Sequence, residues 1–208
     1  MFERFESGYR QDAPLARSPV DNPIERLSDQ GLGEPLSRFS GVSFNSGLYR
    51  VMATGTLRLS NTFIAHTFPG FANRITSFSY DWLGRIFALD SARLVAGSPA
   101  VVMFEPGTGQ VLEIPCNLIT FHENELVDHG EEALAAGFHK QWIAGGGAAP
   151  KLNQCVGYKK PLFLGGKDVI ENLEISDLDV YWTLSAQLIQ KARGLSPGTR
   201  VARVGLSG

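Results

Sequence analysis

The chain has 208 residues, of which 43% are hydrophobic and 19% charged, as in an ordinary globular protein. Its formal net charge is −2, so no strongly basic face is indicated and direct binding of nucleic acid is not expected. No apolar run approaches the roughly 20 residues of a membrane span. The charged N-terminal stretch MFERFESGYRQD lacks the apolar core of a signal peptide.

The two cysteines, Cys116 and Cys155, lie far apart in the sequence. They form no CxxC pair of the kind used for zinc binding or redox chemistry. Two lone thiols in a chain of this length are typical of a reducing compartment without a disulfide framework. We therefore expect a cytoplasmic protein that binds no metal and no cofactor and does not act at a membrane.

The N-terminal part is predicted to combine short helices with irregular segments. An opening helix is indicated by aromatic residues at near-helical spacing, namely Phe2, Phe5 and Tyr9. Proline removes a hydrogen-bond donor and restricts the residue before it, so an irregular segment is predicted around Pro14, Pro19 and Pro23. Weak helical periodicity returns at 24–27 and 32–39 and ends at Gly41, a residue suited to the C′ position.

The next elements are a strand and a helix. The sequence SFNSGLYRVM (43–52) is predicted to turn into a strand. A helix is predicted over about 55–67, and Pro69-Gly70 ends it. Its apolar face is predicted from residues at helical spacing, namely Leu59, Phe63, Ile64 and Thr67.

Residues 74–115 are predicted to form three or four antiparallel strands. Alternating side chains in RITSFSYDW, followed by the apolar run IFALD, indicate a first hairpin. The sequence AVVMFEPGTGQVLEIP contains two apolar runs around Pro-Gly-Thr-Gly. This pattern indicates a second hairpin, because glycine adopts positive φ at low cost.

The stretch SYDWLGRIFALD (79–90) brings an acid, an aromatic residue and a base together, which suggests either an active site or a hairpin turn. Asp81 suits the entry to a turn and Gly84 suits the turn itself. Trp82 is a large apolar anchor, and Arg85 is expected to pair with Asp81 or Asp90. These are structural roles, so the hairpin is the prediction.

The C-terminal part is predicted to be mostly helical, with helices at 118–127 and 131–144 and a loop in GGGAAP (145–150). GYKKPLFLGG indicates a strand and a turn. A last helix begins in a capping-box-like pattern of Ser176 and Asp179 and buries Leu178, Tyr181, Trp182, Leu184, Ser185 and Leu188. The predicted fold is α+β, with a central, mainly antiparallel sheet (about 74–115), flanking helices and a helical C-terminal subdomain.

No catalytic motif is complete. His122-Glu123 begins a zinc-protease HExxH motif, but Leu126 stands in place of its second histidine, so the motif is not present. His122 and His129 could still share a face if one helix contained both, but they are predicted to be surface residues. GGKD (165–168) lacks the distant glycine and the hydroxyl residue of a phosphate loop, and predicts a tight turn. Dispersed acids, Asp81, Asp90 and Glu105, could act together only if the fold brought them into contact, which the sequence does not indicate.

Several segments together resemble one bacterial family: GVSFNSGLYRVM, ITSFSYDWLGRIFALD, VVMFEPGTGQVLEIP and, most clearly, QCVGYKKPLFLGGKDVIENLEISDLDVYW. The family contains immunity proteins that neutralise a DNase toxin delivered by type VI secretion. The resemblance covers roughly residues 32–200, and the layout is more distantly similar to the SUKH group of immunity proteins. It implies a GAD-like N-terminal region, placed at 1–117, and a C-terminal immunity domain at 118–208.

The resemblance implies a noncatalytic protein that binds and occludes a cognate toxin, and it supplies no catalytic residue. A toxin that cuts DNA needs a basic cleft, which favours a carboxylate-bearing inhibitor. The first acidic group consists of Glu123, Glu125, Asp128, Glu131 and Glu132. The second consists of Asp168, Glu171, Glu174, Asp177 and Asp179. At least one is expected to face the toxin, although both also fit solvated helix faces.

Two other functions stay open on the sequence alone. A small-molecule or nucleotide-sensing module would use the Gly-rich turn at 163–166 and line a pocket with Tyr80, Trp82, Tyr158 and Trp182. Core packing is the preferred interpretation of these aromatics. An enzyme would require convergence of groups such as Asp81, His122 and Asp168.

Overall fold

The computed structural model describes residues 2–12, 33 and 38–193. The predicted proline-bearing segment, the helix at 24–27 and most of the helix at 32–39 lie outside the described residues, as does the predicted end of the last helix at Gly194. The opening helix is confirmed as α1 (Glu3–Gly8). Phe5 on this helix is fully buried, which anchors the N-terminus to the core.

The centre of the fold is a six-stranded antiparallel sheet in which each strand pairs with the next one in the chain. Its strands are β1 (Ser43–Phe44), β2 (Tyr49–Val51), β3 (Ile75–Asp81), β4 (Ile86–Val95), β5 (Ser98–Glu105) and β6 (Gln110–Asn117). The predicted hairpins and the antiparallel sheet are confirmed. Two short strands extend the sheet beyond the predicted 74–115, and helix α2 (Thr54–Thr67) connects them to β3.

The C-terminal part contains helices and a second, two-stranded sheet. Helix α3 is continuous from 118 to 128 and consists of Leu118–Thr120, a π-helical turn Phe121–Glu125, and Leu126–Asp128. The other elements are α4 (Gly130–Leu134), α5 (Ala136–Ala144), β7 (Gln154–Tyr158), β8 (Leu173–Asp177) and α6 (Leu178–Ala192). The α+β fold class is confirmed.

Strand β8 corrects the prediction that the second acidic group lies on a helix face. It pairs antiparallel with β7, so Glu174 and Asp177 belong to a hairpin. The predicted helix start is also wrong, because Ser176 is part of β8 and pairs with Cys155. Helix α6 starts after Asp177, which makes no side-chain cap hydrogen bond.

Two predicted helix faces are rotated in the structure. On α2, Leu59 is 49% exposed, and the core-facing residues are Leu57, Ser60, Ile64 and Thr67. On α6, Leu184 is 38% exposed, whereas Leu178, Tyr181, Trp182, Ser185, Ala186 and Ile189 are buried. Periodicity alone therefore located both helices but misjudged the edges of their buried stripes.

Helix α3 covers one face of the sheet with adjacent residues that both point inward. Asn117 caps its first turn by accepting hydrogen bonds from the amides of Ile119 and Thr120. Phe121 is fully buried and His122 is 1% exposed, so the prediction of a surface position for His122 is wrong. Both rings pack edge-on or tilted against aromatic side chains of α1 and the sheet, including Phe2, Phe5, Tyr49, Phe78 and Phe87.

His122 is held in one tautomer by two hydrogen bonds. Its Nδ1 lies 2.8 Å from the carbonyl oxygen of Leu118, and its Nε2 lies 2.9 Å from the hydroxyl of Tyr49. Because a carbonyl only accepts, Nδ1 carries the proton and Nε2 accepts from Tyr49. Burial lowers the pKa of His122 to about 4, so the ring is neutral near pH 7.

The turn between β3 and β4 is built around a buried ion pair, which confirms the predicted Asp81–Arg85 contact. Arg85 Nε donates to Asp81 Oδ2 at 2.6 Å, while Asp81 Oδ1 accepts from the amides of Leu83 and Arg85 at 3.0 and 2.9 Å. Burial raises the pKa of Asp81 to about 6, which still leaves it ionised at neutral pH. The alternative partner, Asp90, instead pairs with Arg74.

The same turn, residues 81–85, binds three C-terminal elements. Arg85 and the indole of Trp82 donate to carbonyls of α4, at Ala133 (3.1 Å) and Leu134 (2.9 Å). The carbonyl of Trp82 accepts from the amide of Val156 in β7 at 2.6 Å. The indole of Trp182 in α6 donates to the carbonyl of Gly84 at 2.8 Å. The turn therefore joins the sheet to the C-terminal part.

We predict that Asp81→Ala lowers the free energy of unfolding by about 3–5 kcal/mol, because it leaves the buried Arg85 charge without its carboxylate. The control is Glu113→Ala, which removes an exposed pair with Arg93 and should cost about 0–1 kcal/mol. Urea denaturation at pH 7 measures both. Equal losses in the two variants would contradict a dominant role for the turn.

We predict that acid weakens the fold through His122. An unfolded histidine takes up a proton near pH 6.5, whereas the folded His122 does so near pH 4, so its stabilisation is present above pH 6.5 and is lost as the pH falls. The loss is about 1.4 kcal/mol per pH unit between these values. Urea titrations from pH 7 to 4 should show a shallower slope for His122→Gln than for the wild type; an unchanged slope would contradict this assignment.

Candidate partner-binding surface

Three acids of the first acidic group have contacts within the chain, whereas the carboxylates of Glu125 and Glu132 have no partner among the described residues. Arg4 donates to both carboxylate oxygens of Asp128, at 2.6 and 3.1 Å, and to the carbonyl of Glu123 at 2.9 Å. The hydrogen bond from Arg4 lowers the pKa of Asp128. The Glu123 carboxylate faces the amides of Arg4 and Phe5, both at 3.4 Å, and Glu131 accepts from the amide of Gly137 at 2.6 Å. These acids hold α1 and α5 in place.

The second acidic group is exposed and mostly unpaired. Asp168 accepts a hydrogen bond from the Tyr158 hydroxyl at 2.7 Å, and Asp179 accepts from the adjacent amide of Val180 at 2.8 Å. Within the described part of the chain, no donor bonds the carboxylates of the remaining members, Glu171, Glu174 and Asp177. This group therefore offers more free carboxylates than the first group, a difference that sequence reasoning missed.

A closed loop, residues 159–172, carries Asp168 and Glu171. The side-chain oxygen of Asn172 accepts from the Lys160 amide at 3.0 Å, and its amide nitrogen donates to the carbonyls of Lys160 and Lys167 at 2.9 and 2.8 Å. A Cβ at Gly166 would lie 1.9 Å from the Lys160 carbonyl oxygen, so the turn requires glycine there. The predicted tight turn in GGKD is confirmed, and the loop presents its acids from a fixed backbone.

A groove lies between the β7–β8 hairpin and α6. Its volume is about 110 Å³, and its lining includes Gly157, Glu174, Ser176, Leu184, Ser185 and Leu188. Small-molecule pockets typically enclose about 300–1,000 Å³. The four aromatics considered for such a pocket, Tyr80, Trp82, Tyr158 and Trp182, are all buried, and only Tyr158 among them also lines the groove.

Glycine at position 157 explains the shape of this groove. Gly157 is the cross-strand partner of Glu174, so no side chain of β7 stands opposite Glu174. A Cβ at Gly157 would lie 2.6 Å from the ring of Tyr181, which packs directly on the backbone of β7. The Tyr181 hydroxyl also accepts from the amide of Tyr158 at 3.2 Å. The groove is therefore floored by backbone and by one fixed aromatic ring.

Three of the groups considered for catalysis, Asp81, Asp90 and His122, have structural partners. Asp81 and Asp90 each bind an arginine, and His122 bonds to Tyr49 within the core. The thiols of Cys116 and Cys155 are free and buried, and burial raises the pKa of both, to about 12 for Cys116. Across residues 2–12, 33 and 38–193, no group of three or more histidine, cysteine or acidic residues is placed to hold a metal ion.

Residues 131–189 match a family model described as the C-terminal domain of the T6SS immunity protein Tdi1. This segment is similar to the C-terminal domain of a type VI secretion immunity family. The matched segment, called the immunity domain below, extends from α4 into α6 and contains the groove and the whole second acidic group. The family is noncatalytic, which supports the prediction that the chain is not an enzyme, and it implies binding of a cognate toxin protein.

The whole fold also has a structural relative. The crystal structure of Atu4351 from Agrobacterium tumefaciens aligns with a TM-score of 0.64 over 90% of this chain and 89% of that chain. The two sequences are 17% identical, so the likeness concerns the fold alone. No curated protein matches the chain significantly. No helix among the described residues is long and apolar enough to span a membrane.

Proposed function

We propose that this chain binds a cognate type VI secretion toxin in the cytoplasm, that the toxin is a DNase, and that the second acidic group faces it. The observation that carries the proposal is the set of exposed, unpaired carboxylates within the immunity domain, Glu171, Glu174 and Asp177. The function requires no chemistry from this chain, because occupation of the toxin's substrate-binding surface is sufficient for neutralisation.

The negative charge of this surface suits the binding of a DNase. An enzyme that binds DNA must place basic side chains along a polyanion, so its cleft has a positive potential. Carboxylates on an inhibitor complement that potential, raise the association rate and compete with phosphate groups. The net charge of the chain is only −2, so a negative potential on this surface comes from the local arrangement of acids and not from the overall charge.

The second acidic group fits this role better than the first. Arg4 neutralises Asp128, and the backbone of α1 faces Glu123, so binding a toxin through these acids would compete with the docking of α1. Glu174 and Asp177 have no such contacts to break among the described residues. Binding there carries no cost of separating an internal ion pair.

Co-expression and capture test the proposal directly. The tagged protein is purified from its own bacterium under conditions in which toxins are expressed, and the partner present in stoichiometric amount is identified. We predict an effector with DNase activity whose toxicity is suppressed when this chain is co-expressed. A partner that damages the cell without cleaving DNA would retain the immunity function and contradict the DNase assignment. If no toxin is captured and co-expression of this chain gives no protection, the immunity function is contradicted.

We predict that Asp177→Asn combined with Asp179→Asn slows association with the captured toxin and reduces the dependence of the association rate on salt, because steering by these charges is lost. The comparison variant is Glu123→Gln combined with Asp128→Asn, which removes the same charge from the first acidic group. Stopped-flow association measured from 50 to 300 mM salt should change for the first variant only, and the reverse pattern would identify the first group as the contact.

A further inference from the structure

We propose that the groove between the β7–β8 hairpin and α6 receives one basic side chain of the toxin, a lysine or an arginine. Its aliphatic stem lies along Leu184 and Leu188, and its charged end meets Glu174. This inference rests on the proposed function and specifies how the toxin is recognised. It also gives the groove a role in binding, in addition to that of the second acidic group.

The wall formed by α6 supplies an apolar surface for an aliphatic stem. Leu184 is 38% exposed at this wall, and Leu188, one turn further along α6, is partly buried beside it. The side chains of arginine and lysine contain three and four methylene groups. These groups pack favourably against an apolar surface while the charged end stays at a polar edge. A short acidic or polar side chain would gain nothing from this wall.

The opposite side of the groove supplies an unpaired carboxylate. Glu174 is exposed, and its cross-strand partner is Gly157, so no side chain of β7 pairs with its carboxylate. The nearest basic residue in the lining, Lys159, directs its ammonium group to the carbonyl oxygen of Glu171 at 2.9 Å. Glu174 therefore keeps its charge available for a partner.

Ser185 supplies a polar atom within the groove. Its side chain lines the groove, where the hydroxyl oxygen can accept a hydrogen bond. An ammonium or guanidinium group beside Glu174 would donate to this oxygen.

The dimensions of the groove fit one side chain rather than a peptide segment. About 110 Å³ is too small for a helix or an extended strand. Its walls are preorganised, since Tyr181 packs on Gly157 and Asn172 closes the adjacent loop. A partner side chain would therefore lose its own rotamer freedom without having to order the groove.

The test compares charge changes inside and outside the groove. Glu174→Lys alters the proposed contact, and Glu171→Lys makes the same charge change on an exposed residue that does not line the groove. Titration calorimetry with a catalytically inactive form of the captured toxin measures both dissociation constants. We expect Glu174→Lys to weaken binding about 30-fold or more and Glu171→Lys by about threefold or less.

A second pair of variants tests the apolar wall without changing charge. Leu184→Ala shortens the wall, whereas Val180→Ala trims a 47% exposed side chain one turn earlier that does not line the groove. We expect weaker binding for Leu184→Ala only. A charge-swapped toxin, with its groove-contacting lysine or arginine changed to glutamate, should regain affinity for Glu174→Lys.

The outcomes separate this inference from the function on which it rests. If the wild type neutralises the toxin while Glu174→Lys and Glu171→Lys bind equally well, the groove assignment is wrong and the immunity function stands. If the wild type neither binds nor protects, both are overturned. Circular dichroism and urea denaturation of each variant exclude loss of folding as the cause of weaker binding.

Discussion

The ion pair between Asp81 and Arg85 is the interaction on which the rest of the structure depends. It closes the turn between β3 and β4 inside the protein, with Asp81 fully paired by the guanidinium and two backbone amides. The shape of this turn then exposes the backbone groups and the indole that bind α4, β7 and α6. A charged pair that is costly to bury is thus placed where it orients both parts of the fold.

The sequence predicted what depends on local pattern and missed what depends on distant partners. Alternating side chains and Pro-Gly-Thr-Gly were sufficient to locate the central hairpins. Strand β8 was missed because it is short and acidic. It is also separated in the sequence from its partner β7 by the loop at 159–172. The burial of His122 was missed because it depends on partners that the local sequence does not show, namely the hydroxyl of Tyr49, 73 positions earlier, and the aromatic rings of Phe2 and Phe5.

The two acidic groups show the same limit at the candidate site. In the sequence they are equivalent runs of carboxylates, and nothing local marks Asp128 as the partner of a residue 124 positions earlier. The structure distinguishes them, because Arg4 pairs with Asp128 in the first group while Glu171, Glu174 and Asp177 in the second remain unpaired among the described residues. The groove was also beyond sequence reasoning, since it depends on a glycine lying opposite a glutamate across two strands.

The position of the turn at 81–85 has a consequence for how such proteins diversify. Carbonyl groups of the immunity domain, residues 131–189, accept hydrogen bonds from the Trp82 indole and the Arg85 guanidinium, which lie outside the domain in the sequence. Recombination that exchanged this domain alone would separate Trp82 from Leu134 and Gly84 from Trp182. A functional chimaera must therefore inherit the turn and the domain from the same parent, which ties two distant stretches of the gene into one unit of inheritance.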